Sequence, residues 1–94
     1  MEKRPCKYWV FIQKRKSGPR PYYHTLGYQI KWGSTGWSDP GSQYNKKNLV
    51  RKIGPFPTRI ALLDFYWSNQ ASLPGGTDAE VLDYAERFDC DDQE

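Results

Sequence analysis

Residues Tyr22 to Trp32 alternate without interruption between two sets of side chains. Tyr22, His24, Leu26, Tyr28, Ile30 and Trp32 fall on one side, and Tyr23, Thr25, Gly27, Gln29 and Lys31 on the other. A period of two over this length marks a strand with its first set on a core, and it commits the chain to a sheet. Gly27 within the run predicts a bulge or kink. Lys7 to Lys14 is a second strand, β-branched and aromatic through its middle. It sets Tyr8, Val10 and Ile12 against Trp9, Phe11 and Gln13, so both faces carry bulk. Such a strand belongs in the centre of a sheet or under two layers.

The connections are equally readable. Lys14 to Pro21 is a basic turn broken at Gly18-Pro19, which makes the two strands a hairpin. Residues 33–47 form a long loop of Gly, Ser, Asn and Lys, of a length usually tied to function. Asn48 to Ile53 reads as a short third strand, closed by Gly54-Pro-Phe-Pro-Thr58. Pro57 or Thr58 opens a main helix over 57–70, with Ile60, Leu63 and Trp67 as its core stripe and Leu62, Phe65 and Tyr66 widening it. Leu73-Pro-Gly-Gly stops it. Thr77-Asp-Ala-Glu80 is a capping box for a second helix over 77–89, with Val81, Tyr84, Ala85 and Phe88 on one face. Residues 90–94 are an acidic tail. The expectation is one α+β domain over 1–94: a small antiparallel three-stranded sheet in β-β-β-α-α order, with helices packed on one face.

Charge is divided along the chain. Residues 1–59 hold thirteen Lys/Arg against two acids, or +11, whereas residues 60–94 hold one Arg against nine acids, or −8. The net charge of +3 conceals this split. It suggests a basic surface for a polyanion or an acidic partner, with an acidic segment able to compete for it. The plainer outcome is that the two blocks attract each other.

Little here supports catalysis. The one histidine, His24, lies on the core face of its strand. Cys6, His24 and Asp39 supply the residue types of a nucleophilic triad without a spacing that favours one. No zinc or calcium motif, phosphate-loop glycine motif or membrane-length apolar run occurs, so no cofactor, no metal and no membrane are expected. Gly33-Ser-Thr-Gly36 is a weak candidate for backbone contacts to a phosphate. Cys6 lies among Lys3, Arg4 and Lys7, and Cys90 among aspartates; with nothing to mark secretion, free thiols in the cytoplasm are expected.

Cations interleaved with aromatic rings are the stronger signal. Aromatic residues make up 16% of the chain, more than a small core needs. Single-stranded nucleic-acid binders use cations to follow phosphates and rings to stack on bases. Lys14, Arg15, Lys16, Arg20, Lys46, Lys47 and Arg51 are the candidate phosphate contacts. Trp37 is the candidate stacking ring, with Tyr44 in the same loop; an exposed aromatic pair also suits a protein interface. Trp9, Phe11 and Tyr23, opposite the expected core, either join this surface or are covered by a second layer.

Val50-Arg-Lys-Ile-Gly-Pro-Phe-Pro-Thr-Arg59 is similar to the strand-to-helix segment of sporulation-related repeat domains that bind peptidoglycan. The resemblance is confined to that segment, since residues 7–32 read as a hairpin where that family has strand-helix-strand, and no residue role carries over.

The sequence therefore predicts a non-enzymatic binding protein whose basic, aromatic surface engages nucleic acid or a nucleoprotein complex. The alternative is a small inhibitor or adaptor of the viral or mobile-element kind, anti-CRISPR-like, that binds a host protein directly. A sheet of three strands leaves two open edges, so a homodimer through an edge is a further expectation.

Overall fold

A computed structural model describes residues 4–32, 36–38, 43–85 and 90–91. Four strands, β1 (Arg4–Lys14), β2 (Tyr22–Trp32), β3 (Gly36–Ser38) and β4 (Leu49–Phe56), form an antiparallel sheet in the order β3-β2-β1-β4. One helix, α1 (Arg59–Asn69), follows, and then two 3-10 turns at Gln70–Ser72 and Gly76–Asp78. Strand β5 (Glu80–Asp83) pairs in parallel with β2, and β6 (Cys90–Asp91) in parallel with β1. The α+β class is as expected, but the sheet has more strands than three, and α1 is the only α-helix among the described residues.

The core forms where the hairpin meets α1. Tyr8, Val10 and Ile12 of β1 and Leu26, Tyr28 and Ile30 of β2 are buried against Leu62, Tyr66 and Leu73. Each fully buried aliphatic side chain of this kind contributes on the order of 1.5–3 kcal/mol. Thr58 caps the helix, its hydroxyl accepting from the Ala61 amide at 3.1 Å. The expected stripe is rotated, however: Leu62 and Tyr66 are buried, whereas Ile60 and Trp67 are 68% and 60% exposed. Tyr66 determines this, because its hydroxyl has a buried partner on β2 and Ile60 and Trp67 have none.

No α-helix forms over 77–85, the described part of the expected second helix over 77–89. Residues 76–78 make a 3-10 turn and Glu80–Asp83 a strand, registered from Tyr23↔Glu80 to Leu26↔Asp83. The outer edge of β2 offers N–H and C=O groups that a local helix would have left unpaired. Val81 and Tyr84 still pack on the core and Ala85 is still buried, although the period is that of a strand. Phe88 and the rest of 86–89 lie outside the described residues, as do 92–94 of the acidic tail.

That same edge explains the long loop. Strand β5 covers β2 as far as Leu26, whose carbonyl accepts from the Tyr84 amide at 2.9 Å, and β3 covers it from Ile30 onward. Between them the side-chain amide of Gln43 replaces a strand. Its Oε1 accepts from the Tyr28 amide and its Nε2 donates to the Tyr28 carbonyl, both at 2.9 Å. Gly27 makes this possible. The β1–β2 register runs through it without a shift, so the expected bulge is absent. A Cβ there would stand 2.4 Å from Gln43 Oε1 and 2.8 Å from Phe11 Cε2, so the glycine serves a close approach.

Strand β4 has no strand on its outer side among the described residues. It carries Arg51, Lys52 and Pro55, and its pairing with β1 shifts register twice. Charges, proline and bulges all discourage a second copy at this edge. Cys6 is disulfide-bonded, not the free thiol expected. The parallel pairing of Arg4 with Cys90 brings the chain's other cysteine back beside the start of β1.

Gly27→Ala is expected to lower stability by about 1–3 kcal/mol, because Gln43 and Phe11 must both give way. A chemical-denaturation midpoint equal to that of the parent would show that the loop does not depend on this contact.

Candidate nucleic-acid interface

The sheet face away from α1 carries Lys7, Trp9, Phe11 and Gln13 of β1. Their partners there are Gln29, Gly27, Thr25 and Tyr23 of β2 and Lys52 of β4. Trp37 of β3 joins it opposite Lys31. Residues Gln43 to Asn45 cover half of this face. The Tyr44 ring stacks on Phe11 with centroids 4.4 Å apart and planes 19° from parallel, and Phe11 is fully buried. Phe11 and Tyr44 are thus mutually engaged packing residues.

Buried Gln13 fixes the cover. Its Nε2 donates to Thr25 Oγ1 at 3.0 Å and to the Gln43 carbonyl at 3.3 Å. Its Oε1 accepts from the Tyr23 hydroxyl and the Asn45 amide, both at 2.8 Å. A buried amide with every hydrogen bond satisfied holds one arrangement and penalises others. A groove of about 490 Å³ follows the cover, lined by Tyr23, Tyr44, Tyr84, Lys46 and Leu82 among others.

The other half of the face is half-buried rings capped by lysines. Lys7 Nζ lies 4.3 Å from the Trp37 ring centroid, and Lys52 Nζ lies 4.2 Å from that of Trp9. Trp9 Nε1 donates to Gln29 Oε1 at 2.8 Å, which orients the indole. Gly54 allows the ring to lie against β4, since a Cβ there would meet Trp9 Cε3 at 2.8 Å. Lysine over an exposed ring is worth about 0.5–1 kcal/mol. A stacked base is worth about 1–3 kcal/mol, so a base can displace the ammonium, which remains beside it for a phosphate.

The candidates named from sequence divide into groups. The β1–β2 turn and the approach to β4 adjoin, with the Lys14 amide donating to the Asn48 carbonyl at 2.9 Å. Lys14, Arg15, Lys16 and Lys47 consequently line one cleft of about 450 Å³ with Asn48, Leu49 and Val50. Arg15 lies over the Tyr23 ring, 4.8 Å from its centroid, and pairs with Glu80. Lys46 lines the tyrosine groove. Arg20 is apart, in a cleft with Asp78. Arg51 pairs with Ile12 and so belongs to the α1 side of β4, whereas neighbouring Lys52 pairs with Phe11 and reaches the aromatic face. Lys7 and Lys52 are the contributors missing from the sequence-derived set, and strand parity across β1 and β4 is the signal that finds them.

The charge blocks meet in part. Glu80 neutralises Arg15, and Asp83 lies 3.4 Å from Arg59. Of the triad types, Cys6 is disulfide-bonded, His24 is fully buried and Asp39 lies outside the described residues, as does most of Gly33–Gly36. No grouping of three or more metal-ligating side chains occurs among the described residues. No helix among them is long and apolar enough to cross a membrane.

His24 has a structural role. Its Nε2 lies 2.7 Å from the Pro74 carbonyl, which can only accept, so that nitrogen carries the proton. Its Nδ1 then accepts from the Tyr66 hydroxyl at 2.6 Å, which in turn accepts from Gln70 Nε2 at 3.1 Å. No family model, curated protein or solved structure matches the chain.

Burial pushes the Tyr66 phenol above its ordinary value of 10.0, opposed in part by the hydrogen bond from Gln70. The folded state therefore keeps this proton where the unfolded chain loses it, and the stability involved falls as pH rises past about 10. Tyr66→Phe should cost about 1–3 kcal/mol near neutral pH, because His24 Nδ1 is left without a donor. The gap between parent and variant should narrow above pH 10 in denaturation series; a gap that widens there would contradict the assignment.

Proposed function

We propose that this protein is a non-enzymatic binder of single-stranded nucleic acid, bare or within a nucleoprotein complex, that uses the sheet face opposite α1. The observation carrying this reading is the pair of half-buried tryptophans, Trp9 and Trp37, each with a lysine ammonium over its ring. Ring and cation together are what a base and its phosphate need. From Lys7 to Lys14 the face follows β1 for seven residue-to-residue steps, about 24 Å of extended backbone. That length suits the short end of the ~4–16 nucleotide range of single-strand sites. Along it come Trp37 and Lys7, Trp9 and Lys52, the tyrosine groove with Lys46, and then the cleft of Lys14, Arg15, Lys16 and Lys47. Arg20 and Arg51 lie off this track and are not assigned to it.

A second reading is favoured by one observation. Trp67 and Ile60 are large, exposed and on the opposite side of the molecule, which suits direct docking on a host protein by an inhibitor or adaptor. The disulfide at Cys6 stands against the reducing cytoplasm expected from the absence of a secretion signal.

Tryptophan fluorescence titrated with single-stranded DNA, RNA and duplex DNA separates the two readings. Saturable quenching should occur with a single strand, with a log–log salt slope near −0.7 for each phosphate engaged. Trp37→Ala should weaken binding by about 5- to 150-fold, the equivalent of one lost stack, with stability nearly unchanged. Absence of binding at low salt, or binding that only Trp67→Ala weakens, would overturn the nucleic-acid reading.

A further inference from the structure

We infer that the cleft at the Lys14–Lys16 end of the sheet binds a phosphomonoester on a nucleotide-sized group, that is, the phosphorylated terminus of the strand held along β1. This rests on the nucleic-acid reading above and places one end of the strand. The cleft is formed by segments some thirty residues apart in sequence, and its volume of about 450 Å³ is within the range of small-ligand sites. Lys14, Arg15, Lys16 and Lys47 supply four cations, and Leu49 with the 48%-exposed Val50 supplies an apolar floor. Cations above an apolar surface suit a terminal nucleotide, with its phosphate on the former and its base or sugar on the latter. A terminal phosphate carries more charge than an internal diester, up to two negative charges near neutral pH.

Arg15 already engages an anion at the margin of the cleft, which Glu80 itself does not line. Its guanidinium lies over Tyr23 and Nη2 already holds the carboxylate of Glu80. A phosphate entering the cleft meets a guanidinium fixed by stacking, and competes with Glu80 for its donors. With Glu80 present, the five groups sum to three positive charges, so a dianion is still attracted. Glu80 thus acts as a built-in threshold: weak anions leave it in place, and a charge-dense terminus displaces it.

The test is fluorescence polarisation with one short single-stranded sequence bearing a 5′-hydroxyl, a 5′-phosphate or a 3′-phosphate. Free nucleoside monophosphate serves as competitor, all at one salt concentration. One of the two terminal phosphates is expected to tighten binding by about tenfold or more. Lys47→Gln and Arg15→Gln should remove the difference between the phosphorylated and hydroxyl forms, whatever each costs the hydroxyl form, and Glu80→Gln should enlarge it. Lys47 is exposed, so its variant remains informative if Arg15→Gln does not fold. Equal affinity for all three ends would overturn this inference and leave the nucleic-acid reading standing. Lys47-dependent binding of the free monophosphate without binding of any strand would support the cleft and overturn the strand. Binding of none of the probes would overturn both.

Discussion

Strand β1 carries large side chains on both faces, and a chain with a single described helix can cover only one of them that way. The α1 side is closed by Leu62 and Tyr66 over Tyr8, Val10 and Ile12. The other side has to be closed by backbone that is not a helix, and exposed backbone must find hydrogen bonds as it crosses. Gln13 and Gln43 meet that requirement. One buried amide ties the Gln43–Asn45 segment to β1, and the other completes the edge of β2 at Tyr28. The segment extends only over Phe11, so Trp9 and Trp37 are left half-buried beyond it. The proposed binding face begins where the Gln43–Asn45 cover ends.

The two amides also account for the order of the polar groups around them. Tyr23 donates to Gln13 and presents its ring to Arg15, and Arg15 reaches Glu80 at the start of β5. Interior packing is thereby connected to the basic cleft through three residues. On the far side, the Gln70–Tyr66–His24–Pro74 chain ties α1 and the following turn to β2. Both faces of the hairpin are thus locked by satisfied buried polar networks, which favour one arrangement over near alternatives.

Much of this is legible in the sequence, for local reasons. The alternation in β2, the double-sided bulk of β1 and the Thr58 cap of α1 are local patterns and emerge as read. What was missed depends on partners distant in sequence. Residues 77–80 carry a helical start signal, yet the open edge of β2 offers a ladder and Glu80–Asp83 is a strand. Ile60 and Trp67 match a core stripe, but the pairing of Tyr66 with His24, 42 positions away, turns them outward. Strand β3 is three residues within a Gly/Ser loop, and only its pairing with Ile30–Trp32 defines it. The site was half legible. Lys14, Arg15, Lys16 and Lys47 gather as a basic cluster, whereas Lys7 and Lys52 required the β1–β4 register, and Tyr44 went to packing against Phe11.

Trp9 and Trp37 are the rings proposed to meet a ligand. The most direct measurement is nuclear magnetic resonance of the indole N–H signals during titration with a single-stranded oligonucleotide. The signals of Trp9 and Trp37 should shift together in a saturable way as bases replace the lysines above them, and that of Trp67 should remain in place. Shifts at Trp67 with Trp9 and Trp37 unmoved would contradict the account and transfer the binding surface to α1.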